Sequence, residues 1–188
     1  MQINVRKMMT RLAAVTLLAV GLASASPPPT CPPTVDLSGQ ATTLLVRIEA
    51  EAAALRPTAD TLSTFAWNPQ INWESHALYL SEAKARINNV GKHLAELQQM
   101  QGSLTSWQQQ AVSRVTSHAL QVAASTEAAI DTLRSNQDRF FVPEYREHLT
   151  TIADASQKMH ETVSKFVRYD KAQQQFQQLQ YELELAGD

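Results

Sequence analysis

The chain has 188 residues, with 16 Lys and Arg against 18 Asp and Glu, and a single cysteine, Cys31. One cysteine excludes an internal disulfide. A formal net charge of −2 with no basic stripe argues against nucleic acid, where affinity comes from Lys and Arg on phosphates, and against anionic membrane surfaces.

Arg6, Lys7 and Arg11 precede an apolar run over residues 12–23, which gives way to Ala23, Ser24 and Ala25. A basic head, a short apolar centre and a small-x-small exit predict a secretory signal peptide over residues 1–25, cleaved after Ala25. The run falls short of the about 20 residues that cross a ~30 Å hydrocarbon core, so no stable membrane anchor is expected after cleavage. The mature chain then has 163 residues, one domain's worth, with 13 basic against 18 acidic side chains and a net charge of −5.

Residues 26–37, SPPPTCPPTVDL, predict an extended Pro-rich tail. Cys31 lacks both the Leu-(Ala/Ser)-(Gly/Ala)-Cys lead of a lipid anchor and the Cys-x-x-Cys-His of haem attachment. Its thiol either pairs with another chain or stays single. No Asn-x-Ser/Thr sequon occurs, which favours a bacterial periplasm over a eukaryotic secretory route.

Residues 38–188 read as one all-α domain, an up-down-up-down four-helix bundle with a long last helix. Glycine and proline are sparse after the tail, and no alternating strand pattern appears. The first helix, about residues 38–66, carries Ala41, Leu44, Ile48, Leu55, Leu62 and Phe65 on one face, with Ala52 and Ala59 beside it. Pro57 lies inside it and is expected to kink it. The second helix, about residues 73–101, starts after a capping Asn72. Its stripe is Trp73, Ala77, Leu80, Ala83, Ile87, Val90, Leu94, Leu97 and Met100, with Gly102 placed for a left-handed end.

The third helix follows LTSWQ, residues 104–108, where Thr105 and Gln108 suit a reciprocal capping box. Its face is Ala111, Val115, Val122, Ala129 and Leu133, flanked by Val112, Ala119 and Ile130. The fourth begins at Pro143, a favoured first position, and reaches about residue 185. Its stripe is Leu149, Ile152, Met159, Val163, Phe166, Phe176, Leu179 and Leu183, interrupted at Ser156 and near residues 169–172.

LTSWQ also resembles the Leu-Thr-x-x-Gln signature of small periplasmic chaperones of the Spy and CpxP type, which are helical and exported. The resemblance implies a chaperone-like periplasmic protein. The signature recurs in that family, whereas here it occurs once, because Leu149 and Thr150 are not followed by Gln at position 153. No binding residue is carried over from it.

In this topology the first and third connections share one end of the bundle. Phe65, Trp67 and Trp73 flank one, and Phe140, Phe141 and Tyr145 the other. The reading favoured is an apolar plug pinning two loops, and the competing one a mouth for a ligand. No catalytic constellation is visible. The Glu-x-x-His pair of di-iron bundles is missing, as are His-Glu-x-x-His, paired cysteines, Gly-x-Ser-x-Gly and a phosphate-cradling glycine loop. Glu144 with His148, and His118 with His160, are the nearest approaches to a metal pair. The chain is therefore read as no enzyme, with no cofactor, metal or catalytic residue assigned. The alternative class is a periplasmic bundle that binds a small molecule, metal or haem through the aromatic end or the histidines.

The fourth helix outreaches the first and second, so its last turns are expected to overhang. Phe176, Leu179 and Leu183 then form an interaction surface, through which the chain self-associates or meets a protein partner. Cover by the Pro-rich tail, or a frayed end, are the other accounts.

Overall fold

The computed structural model describes residues 37–186 apart from 136 and 138. The predicted signal peptide, the tail before Leu37 and Cys31 lie outside the described residues. Four helices are seen: α1 (Leu37–Phe65), α2 (Trp73–Gln99), α3 (Ser106–Ser135) and α4 (Pro143–Ala186), with a short 3-10 turn at Gln101–Ser103. Among the described residues there is no strand.

The helix ends follow from local chemistry. The Asn72 side chain accepts from the Ser75 N–H at 3.1 Å, satisfying one of the donors that a helix start leaves open. At α3 the box closes in both directions. The Thr105 N–H donates to Gln108 Oε1 at 3.0 Å, and the Gln108 N–H to Thr105 Oγ1 at 3.4 Å. Pro143 opens α4, and α1 runs unbroken past Pro57. Gly102 departs from expectation. It has no left-handed φ; instead Met100 (φ −96°, ψ 11°) ends α2, and the chain tightens into the 3-10 turn. Contracting the last turn in this way satisfies terminal carbonyls without a left-handed residue.

Short connections make successive helices antiparallel, and α1 and α3 each pack against both α2 and α4. The result is an up-down-up-down ring around one core. Leu45, Ile48, Leu55 and Leu62 of α1 face Leu80, Val90 and Leu97 of α2 and Leu149, Ile152, Met159 and Val163 of α4 in that core. Each such side chain contributes about 1.5–3 kcal/mol when fully buried. Ala52, Ala59, Ala83, Ala111 and Ala129 are buried among them, and small residues there let the helices approach closely.

The apolar stripe of α4 is not continuous. Its buried face runs through Tyr145, Leu149, Ile152, Met159, Val163 and Val167 to Asp170, and Ser156 is buried within it. Phe166 is only half-buried, and every residue from 171 to 185 is exposed. α4 has 44 residues against 29 in α1, so at 1.5 Å per residue it is longer by about 22 Å. It leaves the bundle beside the starts of α1 and α3.

Candidate interaction surface

Two ends of the bundle carry aromatic side chains in opposite circumstances. At the end where α1 turns into α2, the rings of Phe65, His76, Phe140 and Tyr145 stack edge to face or tilted, with centroids 4.9–5.5 Å apart. His76 and Tyr145 are both wholly buried. The Tyr145 hydroxyl and His76 Nδ1 share a hydrogen bond of 2.8 Å, while His76 Nε2 has no hydrogen-bond partner. Burial lowers the His76 pKa to about 4 and pushes the Tyr145 phenol above its ordinary range, because an apolar surrounding disfavours either charge. This end is a packed plug.

Its membership differs from the sequence expectation. Trp67 is 73 % exposed and Trp73 is 36 % exposed; neither belongs to the ring cluster. His76 and Tyr79 take their places, with Tyr79 edge-on to Phe65 at 5.3 Å. From Leu80 the buried stripe of α2 steps back four residues to His76, not three to Ala77 and on to Trp73. A histidine is not counted in an apolar stripe, so that step is invisible to apolar spacing. Trp73 instead edges a groove of about 240 Å³ with Ala77, Ile130 and Leu133, below the ~300 Å³ where ligand pockets begin.

The opposite end is tied by a polar chain. Gln108, wholly buried, donates from Nε2 to the Ser38 carbonyl at 3.1 Å and to Thr42 Oγ1 at 3.4 Å. The capping residue of α3 thereby clamps the first turns of α1. Asp170 of α4 closes the set. Burial raises its pKa, the Thr42 side chain opposes that by hydrogen bonding, and the Gln174 amide donates to Asp170 Oδ2 at 2.7 Å.

Beside this clamp, Trp107 stacks on Phe166 with centroids 6.5 Å apart and meets Tyr169 edge-on at 5.8 Å. Arg114 lies over the Phe166 ring at 6.0 Å, a cation–π contact. With Lys165 and Gln110 these side chains line a shallow groove of about 450 Å³. From it α4 carries on alone. Phe176, Leu179 and Leu183 are 60, 57 and 72 % exposed, and Tyr181 and Leu185 are exposed as well. The three residues named by the sequence thus lie together on one free-standing stretch of helix.

His160 Nε2 lies 3.5 Å from Ser164 Oγ, while His118 Nδ1 has no hydrogen-bond partner. Among the described residues no group of three His, Cys, Asp or Glu is placed to hold a metal ion. No family model, curated protein or solved structure matches this chain. No helix of the described residues is long and apolar enough to cross a membrane.

Proposed function

We propose that the chain is an exported, non-catalytic helical bundle that works by binding protein, through the free stretch of α4. One observation carries this reading: residues 171–185 are all exposed, yet Phe176, Leu179 and Leu183 keep three-four spacing. A frayed end has no use for that pattern, and exposed apolar area of this kind marks interaction sites. Helix-in-groove or helix-on-helix recognition reads such anchors at i, i+3 and i+7. Export through cleavage after Ala25, into a bacterial periplasm, is supported by the tripartite N-terminal pattern. N-terminal sequencing of the exported protein tests it; retention of Arg6 counts against it.

The interaction reading is tested with full-length protein and a Phe176→Gln, Leu179→Gln, Leu183→Gln variant. Amide exchange over residues 171–186 is measured in buffer and in extract from the compartment to which the protein is exported. The native chain is expected to gain protection from its own copies in concentrated buffer or from a partner in extract. The variant is expected to gain none and to melt as the native chain does. Equal, unprotected exchange of both chains under both conditions overturns the reading.

A second reading rests on the Trp107 groove. Three rings, Trp107, Phe166 and Tyr169, and two cations, Arg114 and Lys165, suit an aromatic anion. Absorption spectroscopy and mass spectrometry of protein taken from its native compartment test that reading; a stoichiometric small molecule favours it over the first.

A further inference from the structure

We infer that the free stretch of α4 pairs antiparallel with the same stretch of a second copy of this chain. This rests on the interaction reading above and names the occupant. Tyr169, Ala172, Phe176, Leu179 and Leu183 are spaced three, four, three and four residues apart, the a/d repeat of a two-helix seam. That seam does not extend the core face of α4. At about 100° per residue, Leu183 lies about 200° around the helix from the buried Val163. Phe176, Leu179 and Leu183 therefore face away from the side that the bundle covers and are no remnant of the core pattern, which the exposed Tyr181 and Leu185, at about 0° and 40° from Val163, prolong instead. Within the bundle, the same outward side shows the exposed Lys165, Arg168 and half-exposed Tyr169, leaving a neighbouring helix free to run along it.

Charge selects the second copy and the direction. The base of the stretch is basic, at Lys165, Arg168 and Lys171, and its tip is acidic, at Glu182 and Glu184. Two such helices side by side in parallel set like charges together. Antiparallel, the acidic tip of each lies on the basic base of the other. The middle flanking positions, Gln173, Gln175 and Gln180, are neutral and repel nothing.

One register satisfies both shape and charge. With Gln175 of each copy at the two-fold axis, Phe176 of one chain faces Ala172 of the second copy, a large side chain against a small one. Leu179 faces Tyr169 of the second copy, and Glu182 meets Arg168 of the second copy. The two-fold symmetry repeats each of these contacts.

Sedimentation equilibrium of the full chain, with Cys31→Ser to silence the native thiol, is expected to give a monomer–dimer equilibrium. Glu182→Arg and Arg168→Glu each weaken it roughly tenfold, since two symmetric pairs are lost at once. The double variant, which restores both pairs with the charges exchanged, regains native dimerisation. Single cysteines then report direction. Gln175→Cys is expected to form a disulfide dimer on mild oxidation, and Leu183→Cys to form none. A disulfide dimer from Leu183→Cys without one from Gln175→Cys makes the pairing parallel and overturns the inference. A chain that stays monomeric at every concentration also overturns it. If that monomer's residues 171–186 are still protected in extract, the interaction reading survives with another protein as occupant; if not, both fall.

Discussion

The plug at Phe65, His76, Phe140 and Tyr145 gathers rings from three helices and a loop, while the extension sets Phe176, Leu179 and Leu183 on one helix at three-four spacing, yet the first is largely enclosed and the second open. The plug is enclosed because two connections and three helices converge on it. The extension is open because α4 outlasts its neighbours. Spacing along a helix thus tells which residues share a side, while the lengths of the other helices decide whether that side is core or surface. The contrast separates stability from function: substitutions in the plug should unfold the chain, and substitutions in the extension should leave it folded and alone.

The largest effect is expected from Tyr145→Ala. It removes a wholly buried ring and leaves His76 Nδ1 without its partner, costing about 3–5 kcal/mol and lowering the melting midpoint by roughly 10 °C. Thermal or urea unfolding measures this. A melt like that of the native chain would turn the plug into an open mouth.

Acid comes next. The folded His76 binds its proton near pH 4, against an ordinary value of 6.5. Below pH 6.5 the unfolded chain takes up that proton while the folded chain does not, so stability falls as pH drops towards 4 and is unaffected above 6.5. The loss is about 3 kcal/mol across that window. Urea unfolding at pH 7 and pH 4.5 should show it, and His76→Leu should flatten that part of the slope.

Gln108→Ala sharpens the comparison at the other end. It strips the Thr105 N–H of its acceptor and the Ser38 carbonyl of its donor, for a loss of about 1–3 kcal/mol. Gln108→Glu keeps the acceptor for Thr105 but sets a buried carboxylate oxygen against the Ser38 carbonyl, and should lose more than Gln108→Ala at neutral pH. Smallest is Trp67→Ala, within about 0.5 kcal/mol of the native chain despite deleting the largest side chain type, because Trp67 is exposed.

Much of the fold was legible because helix ends are local. Asn72, the Thr105–Gln108 box and Pro143 need only their near neighbours to act, and each does so where expected. The overhang was legible from arithmetic on lengths. What escaped was long-range or polar. The burial of His76 depends on a ring from a residue 69 positions away, and the reach of Gln108 to Ser38 spans 70 positions. Neither leaves a periodic trace. Trp67 and Trp73 were misplaced for the converse reason: nearness in sequence to a crowded turn does not aim a side chain inward. The face reversal between Val163 and Leu183 was hidden by the break at residues 169–172, across which one stripe was read as continuing.

The melting midpoint as a function of protein concentration tests the central claim most directly. It is compared for the full chain and for one ending at Gln177, which keeps the Gln174–Asp170 hydrogen bond but loses Leu179, Glu182 and Leu183. The two midpoints are expected to coincide in dilute solution and to part as concentration rises, the full chain gaining by mass action as its copies pair. A deficit of several degrees in the shortened chain at the lowest concentration would show that the extension packs within its own molecule, and would contradict its assignment as a surface kept free for a partner.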